Sequence, residues 1–209
     1  MCHHPRMRTA HLKKALAHLS KDARMKKLIT MLERPKSRDL RDPFTSLCRS
    51  IIYQQLSGTA AGTIHRRFMA LYRTASHPSP KQVARTPSLR LKTAGLSTQK
   101  ASYLIDLAEK FLDGTVDPKN FHRMTDDEIR KHLIAVRGIG RWTADMFLMF
   151  TLERPDVLPT GDLGVQKGMQ RFFGLRKLPS PKQMEKLAKS WRPYRTVASR
   201  YLWKSLDNQ

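Results

Sequence analysis

Val136-Arg137-Gly138-Ile139-Gly140-Arg141-Trp142-Thr143-Ala144-Asp145 breaks a helical pattern and restarts it without a linker. Upstream, Thr125 and Glu128 form a capping box, and Ile129, Leu133 and Val136 follow at helical spacing. Downstream, Trp142, Met146, Phe147, Leu148, Met149 and Phe150 give residues 141–152 an unusually apolar helix, which the pattern places in the core. The result is an αα-hairpin whose second helix opens with backbone N–H groups that have no intrahelical partner. Those donors, the positive end of the helix dipole and the flanking Arg137 and Arg141 suit a phosphate. A turn that needs glycine only for positive φ accounts for the same residues equally well.

Helical spacing and caps recur outward from this hairpin, and no run alternates like a strand, so the fold is expected to be all-α. Leu12, Leu16 and Leu19 form an amphipathic stripe. Ser20 reads as the N-cap of a helix carrying Met25, Leu28, Ile29 and Leu32, and Asp42-Pro43 opens another with Phe44, Leu47, Ile51 and Ile52 inward. Ser57 restarts the chain, and Ile64, Phe68 and Leu71 follow. After a Pro-rich connection, Ser97 caps a helix presenting Ala101, Leu104, Ile105, Ala108 and Phe111, which Gly114 stops. Later helices are expected to start near Asp162, Ser180-Pro181 and Pro193, giving about ten in all with no fixed repeat and no long linker.

The 209 residues allow one domain of ordinary size or two small ones sharing a core. Forty Lys and Arg against 17 Asp and Glu leave a formal charge of +23, which makes a polyanion, and nucleic acid first, the expected partner. Two cysteines, Cys2 and Cys48, supply neither a disulfide framework nor ligands for a zinc ion or iron–sulfur cluster. No apolar run is long enough for a bilayer, and the first residues lack a secretory h-region, so an intracellular protein with no membrane partner is expected. Residues 1–21 are basic and free of acid, as organelle transit peptides are. Cys2-His3-His4 offers metal ligands on paper, and His65, His77, His122 and His132 have no spacing that implies a site.

Leu158-Pro159-Thr160-Gly161-Asp162-Leu163-Gly164-Val165 sets one carboxylate at a helix start. An Asp N-cap explains it by itself. The same position suits a carboxylate that stabilises developing cationic charge.

Hairpin and Gly-flanked Asp together, at this separation, resemble the helix-hairpin-helix superfamily of DNA glycosylases over about residues 40–206, within its DNA-3-methyladenine glycosylase II branch. Gly138-Ile-Gly-Arg-Trp-Thr-Ala144, Pro159-Thr-Gly-Asp-Leu-Gly-Val165 and Trp191-Arg-Pro-Tyr-Arg195 carry the resemblance. It implies a two-lobed helical fold with DNA across a cleft, a middle lobe over residues 43–153, and a second lobe from residues 1–42 plus 154–209. Asp162 is similar to the family's catalytic aspartate. The N–H groups of Gly138, Gly140 and Thr143, with Arg137 and Arg141, match its phosphate grip. The carbonyls of Ile134, Val136 and Ile139 match those that hold a structural Na⁺ or K⁺.

Where strand-cutting relatives carry a Schiff-base lysine, this chain has Trp142, which implies hydrolysis by water and an abasic product. Should an amine act after all, Lys167 is next in line. Trp142 matches a pocket aromatic that attracts cationic purines, although helical spacing alone would also make it a core residue. Trp203 matches a second pocket aromatic, and Met146 departs from the family's third. In Tyr53-Gln54-Gln55-Leu56-Ser57, Gln55 falls at the wedge that enters the duplex when a base is extruded, although a polar helix end explains the pair too. The implied activity is monofunctional excision of alkylated purines from double-stranded DNA in base excision repair, by a monomer that needs no redox cofactor or catalytic metal. At this length no extra N-terminal β-rich domain is expected. A non-catalytic lesion-binding module and a glycosylase for deaminated or oxidised purines stay as alternatives.

Overall fold

The computed structural model describes residues 9–34, 42–72 and 77–207, and every regular element among them is helical. The α-helices are α1 (Thr9–Leu19), α2 (Ala23–Met31), α3 (Pro43–Tyr53), α4 (Gly58–Ala70), α5 (Pro80–Ala84) and α6 (Ser88–Thr93). They continue with α7 (Thr98–Leu112), α8 (Asp126–Ile134), α9 (Arg141–Phe150), α10 (Leu163–Phe173), α11 (Pro181–Leu187) and α12 (Arg195–Asp207). Short 3-10 turns lie at Phe121–Arg123 and Lys189–Trp191. Cys2-His3-His4 falls outside the described residues.

The chain divides into two compact units, Arg41–Phe147 and Met1–Leu40 with Leu148–Gln209. In Arg41–Phe147, α3 packs against α4 and α7, and α5 and α6 pack on α7. Leu47, Ile51 and Ile52 of α3, Phe68 of α4, Leu104 and Leu107 of α7 and Leu133 of α8 are fully buried. In the other unit, α12 lies along α10 and touches α1 and α2. Its core gathers Leu19, Met25, Val165, Met169, Met184, Trp191, Tyr201 and Leu202.

Side-chain caps set most helix starts. Asp42 accepts from Thr45 N–H at 2.9 Å with Pro43 at the first turn, and Ser57 and Ser97 cap α4 and α7. Thr125 and Glu128 close a reciprocal box on α8. Ser20 does not cap α2. Its N–H closes α1 onto Leu16 O at 2.9 Å, and Asp22 takes the cap by accepting from Arg24 and Met25 N–H. The Pro-rich connection before Ser97 contains α5 and α6, and a Ser79/Gln82 box starts the former. α12 begins at Arg195 rather than at Pro193, after Tyr194 N–H turns back to Trp191 O at 2.7 Å. α9 ends at Phe150, and Arg154 N–H returns to Leu148 O at 2.8 Å.

Candidate functional site

The hairpin is built on buried apolar anchors. Leu133, Val136 and Ile139 are at most 4% exposed, and two tight bonds, Val136 N–H to Leu133 O and Ile139 N–H to Val136 O, each 3.1 Å, bend the chain between them. Gly138 sits at φ +81°, and a Cβ there would be driven into the Tyr103 ring, so both conformation and space demand glycine. Ala144 N–H makes the bond to Gly140 O at 3.0 Å that opens α9. Among the described residues nothing accepts from the N–H groups of Gly138, Gly140 or Thr143, so these donors are left at the turn and the helix start. Likewise nothing donates to the carbonyls of Ile134 and Ile139, and Val136 O takes only the Ile139 bond. Carbonyls with spare lone pairs on one turn fit a monovalent cation.

Charges around the hairpin differ in purpose. Arg141 is exposed, whereas Arg137 is held by Asp106, which accepts from its N–H at 2.8 Å and its Nε at 3.1 Å. The Arg137 guanidinium is still mostly solvent-facing, so the pair is weak and a phosphate can compete for it. Asp145 is buried and bonded to Arg130 Nε at 2.7 Å, and Arg130 also reaches Asp127 at 2.7 Å. Burial pushes the Asp145 carboxyl up against the opposing pull of Arg130. This pair pins α9 to α8. Trp142 is 49% exposed, which removes the core reading of that residue, while Phe147, Leu148 and Met149 beyond it are buried and Met146 is half-buried.

Asp162 is delivered by a braced loop. Arg195 is buried, and its guanidinium donates to Asp156 Oδ1 at 2.7 Å, Asp156 O at 2.8 Å and Glu185 Oε2 at 2.7 Å. Thr196 Oγ1 donates to Arg154 O at 2.6 Å and accepts from Val157 N–H at 3.0 Å. The Trp191–Arg195 motif thus ties the head of α12 to residues 154–157, which lead into Leu158-Pro159-Thr160-Gly161. Nothing in the sequence assigned Arg195 or Thr196 this part; the only signal was the place of Arg195 at the end of that motif.

At the end of the loop Asp162 caps α10, with Oδ1 accepting from Val165 N–H at 2.7 Å. The same oxygen accepts from Trp203 Nε1 at 2.7 Å. One oxygen thus serves both the helix cap and the Trp203 bond, in a side chain that is 9% exposed. The indole stacks on Phe150 with centroids 5.8 Å apart and an interplanar angle of 22°. It fits because residue 164 is glycine. A Cβ there would lie 2.8 Å from both Cδ1 and Nε1 of Trp203. The structure brings together Asp162 and Trp203 of the expected residues and adds Gly164 and Phe150, which sequence reasoning missed. Lys167 is exposed on α10.

Gln55 lies between α3 and α4, exposed and at φ +55°. Its neighbour Gln54 donates from Nε2 to Gly138 O at 2.8 Å, and Lys100 Nζ donates to the carbonyls of Ile52 and Gln54, both at 2.8 Å. The histidines serve local bonds: His122 Nδ1 meets Lys119 O at 2.7 Å and His132 Nδ1 meets Thr115 O at 2.6 Å. Among the described residues no group of three His, Cys, Asp or Glu side chains could hold a metal ion, and no helix is long and apolar enough to cross a membrane.

Comparison with known proteins adds family to geometry. The chain is 33% identical over 199 residues to the DNA-3-methyladenine glycosylase 1 of Schizosaccharomyces pombe, spanning 93% of this chain and 87% of that protein. The solved structure of the S. pombe 3-methyladenine DNA glycosylase in complex with abasic DNA superposes with a TM-score of 0.81 at 31% identity, over 93% of this chain and 97% of the other. A DNA-3-methyladenine glycosidase from Bacillus halodurans superposes with a TM-score of 0.84 at 33% identity, over 97% and 91%. Residues 48–193 match the model of the HhH-GPD superfamily base excision DNA repair proteins, and the chain belongs to that superfamily.

Proposed function

We propose that the protein is a DNA glycosylase that extrudes alkylated purines of the 3-methyladenine and 7-methylguanine type from double-stranded DNA and hydrolyses their N-glycosidic bond. The observation that carries this reading is Asp162, a carboxylate fixed on one oxygen by Val165 N–H and Trp203 Nε1, in a chain whose relatives are named for that activity. As the C1′–N bond breaks, the base leaves with the bonding electrons and cationic charge develops on the sugar. Asp162 stabilises that charge and orients the attacking water, whose oxygen bonds to C1′ and whose proton passes to the carboxylate.

The other residues bind and select. The free N–H groups of Gly138, Gly140 and Thr143 hold DNA phosphates with Arg141 and Arg137, and the carbonyls of Ile134, Val136 and Ile139 would hold a Na⁺ or K⁺, whose charge would steady the turn. The exposed face of Trp142 attracts the positive charge of an N-alkylated purine by roughly 1 kcal/mol. Trp203 and Met146 are each read as contacts of the extruded base, and Gln55 fills the gap left by extrusion, which costs a few kcal/mol. Trp142 stands where an amine nucleophile would be needed for strand cleavage, so the product is an abasic site. The protein acts as a monomer wherever the DNA is.

One experiment tests both halves. Purified protein is given methylated duplex DNA, with and without borohydride. Free alkylpurine without a trapped protein–DNA adduct is expected. A bound but intact lesion would favour a binding module, release of only deaminated or oxidised purines would reassign the substrate, and efficient trapping would turn the search to Lys167.

A further inference from the structure

Lys100 is one lysine in a strongly basic chain, yet its surroundings set it apart. It stands at the first turn of α7 and is half-buried, and its ammonium donates at 2.8 Å to the carbonyls of Ile52 and Gln54. Those carbonyls close α3, Ile52 in its last turn and Gln54 at its C-cap, where the chain leaves helical geometry. An ammonium between them satisfies acceptors that have no intrahelical donor and opposes the negative end of the helix dipole. The very next residue is Gln55, exposed and at φ +55°, a conformation that a residue with a side chain adopts only when its surroundings impose it. On the other side, Gln54 Nε2 reaches Gly138 O in the hairpin turn at 2.8 Å. Tyr103, one turn along α7 from Lys100, packs where a Gly138 Cβ would be. One face of α7 therefore braces both the segment before Gln55 and the turn that carries the free phosphate donors.

We propose that Lys100 is a positioning residue for base extrusion: by clamping the carbonyls of Ile52 and Gln54 it holds Gln55 in its left-handed, outward pose, and through Gln54 it couples that pose to the hairpin turn. The proposal rests on the reading of Gln55 as the wedge. Phosphate grip at Gly138-Ile139-Gly140 and presentation of the wedge are then one preset unit, so that DNA bound by the hairpin meets a wedge already aimed. Lys100 touches neither the base nor the sugar. Its effect falls on extrusion from a paired helix and not on bond cleavage.

The test compares single-turnover excision of 7-methylguanine from two duplexes, one with the lesion paired to cytosine and one with it opposite an abasic gap, where there is little to unpair. Variants are Lys100→Met, Lys100→Arg and Gln55→Ala. Loss of a charge-assisted clamp predicts roughly a ten- to fiftyfold fall for Lys100→Met on the paired duplex, with a fall of less than about threefold opposite the gap. Lys100→Arg, which keeps a cation with several donors, recovers most of the paired activity. Equal loss on both duplexes assigns Lys100 to the fold or to chemistry and overturns the proposal, as does wild-type activity on both. Gln55→Ala reads the wedge separately. If it shows the paired-selective loss and Lys100→Met does not, the wedge stands and the clamp falls. If Gln55→Ala loses nothing selectively, the wedge reading fails and takes the clamp with it. Should Lys100→Met not fold, Gln54→Met, which removes only the bond to Gly138 O, is compared on the same two duplexes. A paired-selective loss then supports the coupling of wedge and hairpin, and equal loss or wild-type activity on both duplexes overturns it.

Discussion

Gly164→Ala adds one methyl group and should disable the proposed active site. The new Cβ would stand 2.8 Å from Cδ1 and Nε1 of Trp203 and 3.1 Å from Asp162 Oδ1, where ordinary carbon contacts lie at about 3.5–4.0 Å. The ring rests on Phe150, so it must slide or tilt, and either motion lengthens the 2.7 Å bond from Nε1 to Asp162. Overpacking of this kind costs about 1–3 kcal/mol, and a hydrogen bond to a charged group is worth about 1.5–3 kcal/mol. Against this, alanine is preferred over glycine in a helix by about 0.5–1 kcal/mol. Crowding therefore wins. At about 1.4 kcal/mol per decade, losing the Trp203 bond predicts a ten- to hundredfold slower excision step. Single-turnover release of 7-methylguanine with enzyme in excess measures that step, and urea unfolding measures stability. Trp203→Phe, which removes the donor and keeps a ring, should give a similar fall, and the double variant should lose less than the sum because both changes act on one bond. A Gly164→Ala protein that is more stable and excises at the wild-type rate would show that crowding at Trp203 does not govern the site.

Other outcomes follow from the same geometry. Trp142→Ala should weaken selection of cationic alkylpurines over neutral bases by several-fold in competition excision assays, with binding to undamaged duplex nearly unchanged, because it removes a π-face and not a phosphate contact. Arg141→Ala should lower the slope of log K against log salt by about 0.9 on duplex DNA, the signature of one phosphate contact; an unchanged slope would take Arg141 off the DNA. Cys48 is buried, and burial pushes its thiol far above the ordinary range. It should resist alkylation at pH 8 in the native protein and react on unfolding, as peptide mass mapping would show.

Much of this was legible because it rests on local rules with side-chain signatures. The Thr125/Glu128 box, Asp42-Pro43 and the Gly138-Ile139-Gly140 turn each announce a helix boundary through residue type, and each lies where those types require. Ser20 misled because two good caps stood two residues apart and only the turn geometry chooses Asp22. α5 and α6 were hidden by prolines that in fact sit at helix starts. Trp203 was placed by resemblance, but its bond to Asp162 depends on the crossing of α12 over α10 and on the bare backbone of Gly164, neither of which any spacing reveals. Arg195 and Lys100 were lost among the many cations of the chain, because Lys100 binds main-chain carbonyls and the main acceptor of Arg195, Asp156, lies 39 residues away.

The proposed function makes base release turn on Asp162, and Asp162→Asn isolates that residue. The amide oxygen can still accept from Val165 N–H and Trp203 Nε1, so the cap and the indole stay in place, while the negative charge that the proposed mechanism sets against the sugar is gone. The decisive measurement is chromatographic release of free 3-methyladenine and 7-methylguanine from methylated duplex DNA, run beside duplex binding and thermal unfolding of the same preparations. Wild-type protein should release both bases, and Asp162→Asn should bind DNA and unfold like the wild type yet release neither above background. Excision by Asp162→Asn at the wild-type rate would remove the carboxylate from the chemistry and contradict the assignment.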